Sequence, residues 1–418
     1  MPMLVAASGA VITAAPGAHH YRFIGVEIRP SDGVFLYNLV LLGASERSLE
    51  DLPHHIVFDR CYLHGDPKKG TRRGIAMNSR HTAVIDSHLS DFKEVGADSQ
   101  ALGGWNGPGP FKIVNNYLEA AGENVMFGGA DPSIRGLVPS DIEIRRNHLF
   151  KPLSWKVGGP SYAGTPWTVK NLFELKNARR VLVDGNLLEH NWVHAQSGFA
   201  ILFTVRNQDG GAPWSVVEDV TFTNNVVRHT AAGINILGRD DIHPSEQVKR
   251  ILIKNNLFED VGGARWGNGG RLFQLLEETE DVAITHNTAV QTGSILAVDG
   301  KQHRGFTFAG NIALHNAYGI IGSGTGPGMA TIRRYAPDAV ITNNVIVGGS
   351  AALYPPGNFF PRSLDHVGFA DLTGGDYRLN ASSPYRKAAP GGKGLGADFD
   401  ALAPAISPTA GGPARPPS

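Results

Sequence analysis

A single cysteine, Cys61, stands in 418 residues. A lone thiol excludes an intrachain disulfide framework and any zinc site built on cysteine pairs. Charge is sparse as well: only 18% of residues are Asp, Glu, Lys or Arg, and 38 cations balance 38 carboxylates. That excludes the basic surface of a nucleic-acid binder, an acidic tail and a charge-rich disordered chain. There is no run of 18 apolar residues, so no membrane-spanning helix is expected. The Gly-rich stretch GSGTGPG lacks a following lysine, and neither HExxH nor His-x-His occurs. A phosphate-binding loop and a paired-histidine metal motif are thereby missing, and the histidines read as scattered and structural. The opening MPMLVAASGAVITAAPGAHH has no Lys or Arg ahead of its apolar stretch, which Ser8, Gly9, Thr13 and Pro16 interrupt. It reads as strand and turn instead of an export signal.

Glycine is in excess, 52 of 418 residues against roughly 7% in ordinary chains, which points to many turns and hence many short strands. A recurring segment accounts for them: an apolar pair of alternating residues, then an Asn, then a second apolar run. It appears in IVNNYL, IRRNHL, LVDGNLL, FTNNVV, LIKNNLF, AITHNTA, FTFAGNIA and ITNNVI, with the asparagine at 116, 147, 186, 225, 256, 287, 311 and 344. Two earlier copies, VFDRCYL and VIDSHL, put Cys61 and Ser87 in the same slot, and successive spacings run from 24 to 39 residues. Repeats of this size mean a solenoid or a propeller. A propeller blade needs four strands, typically in 40–45 residues, and these repeats are mostly shorter and irregular. Asn tolerates the left-handed backbone and can hydrogen-bond along a stack. The spacing therefore predicts an all-β fold, a right-handed parallel β-helix of about ten or more coils with an Asn ladder, about 45–50 Å long at the strand spacing of a sheet. Residues 1–400 form one domain including a C-terminal cap, and the Pro-rich residues 401–418 are expected to be a disordered tail.

Stacking the coils aligns the strands that precede each Asn-bearing one. Period two puts Phe173 and Leu175 inward and Glu174 and Lys176 outward. Matching FTVRN to FELKN makes Arg206 the lateral neighbour of Lys176 and pairs Asn177 with Asn207. Gly103 and Gly128 then leave a trough on the preceding side. A lysine beside an arginine is a plausible general base, because like charges disfavour its protonated form. Arg206, which keeps its proton, suits a substrate carboxylate or oxyanion. That pair fits β-elimination from a uronic-acid polysaccharide. The rival reading is a glycoside hydrolase in the same groove, using two carboxyl groups drawn from Glu123, Asp98, Asp131, Asp209, Asp240 and Asp241. The insertion KPLSWKVGGPSYAGTPWTVK supplies Trp155, Tyr162 and Trp167. With Trp192, His194, Asn177 and Asn207 they are the candidate substrate-binding residues, the indoles as platforms for pyranose rings. A third reading is a salt-bridged surface on a scaffold or glycan-binding protein without catalysis.

The Asn repeats and the ending DYRLNASSPYRKAAPGGKGLGADFDAL resemble right-handed parallel β-helix proteins of the pectate-lyase-like superfamily, over roughly residues 18–400. Locally, ELK on one coil and an arginine after FTV on the next resemble the active site of polysaccharide lyase family 6. The resemblance implies Lys176 as base, Arg206 as second catalytic cation and calcium near Glu174, with Asp131 as a further ligand. The family's second neighbouring acidic ligand is missing, and the Lys–Arg spacing is longer here. It also implies a polysaccharide as partner and a secreted or periplasmic location; the oligomeric state is left open, with a monomer favoured.

Overall fold

The structure is a computed structural model and describes residues 1–267 and 269–410. Its strands fall into three parallel sheets of 12, 11 and 11 strands, and every third strand along the chain joins the same sheet. The chain thus winds as a right-handed parallel β-helix, one strand in each sheet per coil. The first sheet begins at Met3–Ala6, the second at Ile12–Thr13 and the third at His19–Ile24.

Alternation explains why these segments form strands that stack in register. In the third sheet Val181, Val220, Ile251 and Val282 lie side by side on successive coils, as do Val183, Phe222, Ile253 and Ile284. All eight are buried, and their outward neighbours are not. One continuous core of such side chains runs from Ile28 to Tyr354. The helix Met329–Tyr335 closes its C-terminal end, with Ile332 and Tyr335 inserted among the core residues.

The asparagine ladder is present and continuous. Asn116 Nδ2 donates to Asn147 Oδ1 at 2.9 Å, and the same bond repeats through Asn186, Asn225, Asn256, Asn287, Asn311 and Asn344 at 2.9–3.1 Å. Each Oδ1 also accepts the main-chain N–H of the preceding ladder residue, as in Asn186 N to Asn225 Oδ1 at 2.9 Å. Ser87 and Cys61 occupy the slot upstream, with Cys61 N donating to Ser87 Oγ at 3.0 Å. Downstream the ladder gains a rung that the repeat did not show, Asn358, which accepts from Asn344 at 3.0 Å. The left-handed residue is not the ladder Asn, as expected from its tolerance, but the one before it. Asn115, Arg146, Gly185, Asn224, Asn255, His286, Gly310 and Asn343 all have positive φ.

The C-terminal segment departs from the expected tail. Residues Phe399–Ala410 form a helix whose Leu402 is buried, whereas residues 411–418 lie outside the described residues. The segment covers the outer face of the first sheet, where Val367, Phe369, Tyr377, Tyr385, Leu395 and Leu402 pack on Leu187, Val226, Leu257, Ile312 and Val345. Apolar residues in the sequence ending hold it there, which overrides the Pro and Gly content that read as disorder. No helix among the described residues is long and apolar enough to cross a membrane.

Candidate functional site

The outer face of the second sheet carries the lysine and arginine. Register puts Gly103, Met126, Glu174, Leu202, Asn235 and Gln274 in one row across successive coils. Phe173 pairs with Ile201 and Leu175 with Phe203, where the match of FTVRN to FELKN sets Phe203 opposite Phe173. The expected match of FTVRN to FELKN is therefore displaced by two residues. Two-residue slips keep every inward and outward assignment, which is why alternation could not detect this one. Arg206 still reaches Lys176, because its N–H donates to the Lys176 carbonyl at 2.9 Å.

Around these residues lies a cleft of about 350 Å³, lined among others by Glu174, Lys176, Thr204, Arg206, Asp240 and Asp241. It opens toward the following coils and not over Gly103 and Gly128: Met126 fills the row beside Gly103, and Gly128 lies under Lys176. Glu174 is buried; its Oε2 accepts from Asn171 Nδ2 at 3.1 Å, and its Oε1 lies 3.7 Å from Lys176 Nζ. Among the described residues the Lys176 ammonium has no hydrogen-bond partner. Arg206 is held by two carboxylates, Asp240 Oδ1 at 2.7 Å and Asp241. Asp240 is buried, which pushes its pKa up. The Ile242 N–H, Arg206 and the Asn207 N–H more than offset this and keep it below the usual carboxylate range.

The other expected site residues are placed elsewhere. Glu123 is fully buried in a polar row, accepting from Gln100 Nε2 at 2.7 Å and paired with Lys170 at 3.1 Å. Burial pushes its pKa up, against the pull of Lys170. Asp131 staples two loops, accepting from Gly211 N at 2.7 Å and Asp209 N at 3.2 Å. Neither Glu174 nor Asp131 belongs to a converging group of three or more His, Cys, Asp or Glu donors among the described residues. Calcium takes six to eight oxygens, and this pair does not fit it. Asn177 and Asn207 are buried braces: Asn177 Oδ1 accepts from Val216 N at 3.1 Å, and Asn207 Nδ2 donates to Pro244 O at 2.8 Å. Trp155, Trp167 and Trp192 are 3–7% exposed and pack with Trp266 and Val169. The insertion folds its indoles onto the solenoid, because a free indole in water forfeits its large apolar area. Tyr162 is half-buried, and His194 is exposed with Nδ1 accepting from Val169 N at 3.2 Å.

A second cleft, of about 660 Å³, went unnoticed in the sequence. It lies over the first sheet, with Asp91, Lys93, Glu119, Tyr62, Trp155 and Trp167 in its wall. Glu119 Oε1 accepts from Asp91 N at 3.1 Å, and Tyr117 OH donates to Oε2 at 2.9 Å. Burial, then the Asp91 charge, push the Glu119 carboxyl up to about 7. Lys93 pairs with Asp91 and sits 5.2 Å from the ring centres of both Trp155 and Trp167. The pair arises where the pairing of His88–Phe92 with Tyr117–Ala120 slips between Leu89 and Phe92. The sequence signal for this cleft is an outward acid in each of SDF and YLEA.

Fold and clefts together define the class: a parallel β-helix protein with concave polar sites on its outer faces, these two clefts among them, an architecture compatible with carbohydrate-active enzymes. No protein-family model matches this chain, and no curated protein matches it.

Proposed function

We propose that the protein is a polysaccharide lyase, acting by β-elimination on a uronic-acid-containing glycan in the second-sheet cleft. The observation that carries this is Lys176, a part-buried lysine on the wall of that cleft with no hydrogen bond to its ammonium and with Arg206 one bend away. In its neutral form the lysine takes the proton from C5, next to the uronate carboxylate. The electron pair left behind becomes the C4–C5 double bond, the C4–O bond breaks, and the departing oxygen takes a proton from water. Arg206 neutralises the substrate carboxylate, which makes the C5 proton acidic. The cleft holds three carboxylates against two cations, and Asp241, the exposed partner of Arg206, is the group a substrate carboxylate replaces. A polymeric substrate of this kind implies a secreted or periplasmic place of action.

Incubation with a panel of polysaccharides, following unsaturated uronyl absorbance and reducing ends in parallel, tests this reading. Lys176→Ala should abolish turnover with the fold intact. Arg206→Ala should cost about 2–4 kcal/mol of transition-state stabilisation, while Asp241→Asn should lower KM. Wild-type turnover by Lys176→Ala on a confirmed substrate would remove the assignment.

One observation favours a second reading, glycoside hydrolysis in the first-sheet cleft: an acid with a pKa of about 7 beside a second carboxylate, the asymmetry that acid catalysis of glycosidic cleavage needs. Glu119 must be protonated to act, so activity should fall as pH rises through about 7. Reducing ends without unsaturation, lost in Glu119→Gln, would identify this chemistry. Neither product from any glycan, with unaltered glycan retention by both variants, points to a scaffold.

A further inference from the structure

Near the start of eight of the eleven third-sheet strands, the second or third residue occupies a left-handed position. His20, His55, His81, Asp141, Arg180, Asp219, Arg250 and Asp281 fill it, with φ between 49° and 61°. Such a backbone is uncommon for a residue other than glycine, and it turns these side chains outward along one line of the solenoid. In the later coils the line alternates in sign. Arg180 Nε bonds Asp141 at 2.7 Å, and Arg250 Nε bonds Asp219 at 2.6 Å, so each charge meets its opposite on the next coil.

The first three coils break that rule. Their line is all imidazole: His20 stacks on His55 at 4.6 Å between ring centres, and His55 on His81 at 4.4 Å. The adjacent row repeats the pattern, with His19 stacked on His54 at 4.9 Å. Within each coil the two rings also meet edge to edge. Nδ1 of His19 lies 2.7 Å from Nδ1 of His20, and Nδ1 of His54 lies 2.7 Å from Nδ1 of His55. Two ring nitrogens at that distance require a proton on one and a lone pair on the other. Among the described residues, none of the five histidines pairs with a carboxylate. Ring nitrogens of His20, His54 and His55 converge within 4.8 Å of one another, on side chains that water reaches.

We propose that His20, His54 and His55 form a site for a divalent transition-metal ion, with His19 and His81 flanking it. Three neutral imidazoles suit zinc, nickel or copper and do not suit calcium or magnesium, which prefer oxygen. Small rotations of exposed side chains bring three nitrogens this close to the roughly 2.0–2.1 Å that such ions require. The ion would tie the first coil to the second, at the end of the solenoid where the sheets have no further strand to pair with. The sequence reading set these histidines aside as scattered. They lie 34 or 35 positions apart along the chain, and only the coil brings His19–His20 beneath His54–His55.

The second convergent group, Glu189 with His190 and His229, makes an internal control. Its carboxylate is already occupied by Arg228 at 3.0 Å and His148 at 3.1 Å. The test is calorimetric titration of the full chain with zinc or nickel chloride at about pH 7.5, above the ordinary histidine range, with copper(II) paramagnetic resonance reporting nitrogen coordination. Wild type should take up one equivalent saturably, and the bound ion should raise the thermal midpoint. The His54→Ala/His55→Ala double variant should lose more than the roughly 10- to 100-fold that altering a supporting partner costs. His190→Ala should bind as wild type does. Absence of saturable uptake by wild type would overturn the proposal. So would undiminished binding by the double variant, or loss in His190→Ala instead. Circular dichroism of each variant separates loss of ligands from loss of fold.

Discussion

Asn225 sits midway along the ladder, where one amide does three jobs. Its Nδ2 donates to Val183 O and to Asn256 Oδ1, both at 3.0 Å, and its Oδ1 accepts the Asn186 N–H and Nδ2 at 2.9 Å. Removing it leaves the buried Asn186 N–H without its side-chain acceptor and takes one hydrogen bond each from Val183 O, Asn186 Nδ2 and Asn256 Oδ1. Asn225→Ala should therefore destabilise by about 1–3 kcal/mol, read as a shift of the denaturation midpoint; an unchanged midpoint would show that the ladder is not stabilising. Lys151 performs a similar task on a single coil. It is fully buried, and its ammonium donates to the carbonyls of Ala120, Ala121 and Gly122 at 2.7–2.9 Å. Burial draws its pKa down, while Glu123 and Glu119 oppose that. The charge is a joint between coils, not a base for chemistry, since no solvent reaches it.

Strands and their register mark where the sequence could be read and where it could not. Alternating apolar residues and the Asn period carried the coil, the sheet assignment and the inward faces, because burial on one side imposes them at every rung. The residues around the cleft were harder to place. Inward–outward parity survives a slip of two, so alternation alone sets Phe203 opposite Phe173, where Ile201 lies. The indoles were read as outward because they lie in a loop, yet a loop can fold its large apolar side chains onto the solenoid, and sequence carries no sign of that. The Asp91–Glu119 cleft depends on a slipped pairing that has no signature. Gly128 gives the register at Lys176 a direct test. Its φ is +93°, and a Cβ there would lie 2.7 Å from Asn177 N and 2.8 Å from Lys176 Cβ. Gly128→Ala should cost about 1–3 kcal/mol and displace the Lys176 strand end. Under the lyase reading it should lower kcat more than a surface change of equal size. Full stability in that variant would mean the two coils are not packed as described.

At the scale of the whole molecule, an open solenoid has two kinds of liability: its ends, and any outer face that is apolar. The helix Met329–Tyr335 covers the C-terminal end of the core. The first sheet's outer face is the second liability, since Leu187, Val226, Leu257, Ile312 and Val345 form an apolar stripe over six successive coils, interrupted by Thr288. The chain covers that stripe with its own C-terminal segment. Polar contacts fix the segment in place: Ala397 N donates to Thr288 Oγ1 at 2.9 Å, Asp398 N to Asn255 Oδ1 at 2.5 Å and Tyr377 OH to Glu259 Oε1 at 3.2 Å. Ending the chain before Ser363 removes this cover but leaves the ladder and the core cluster, with Phe360 the last residue packed on it, in place. Each apolar side chain uncovered forfeits about 1.5–3 kcal/mol of burial, and the stripe becomes a contiguous exposed patch of the kind that drives association. The truncated chain should therefore keep its β-sheet circular dichroism, melt at a lower temperature and self-associate in light scattering. Replacing Val226 and Leu257 by Thr in the truncated chain should reverse the association. A truncated chain that stays monomeric with an unchanged melting temperature would show that the segment is an appendage and not part of the fold's stability.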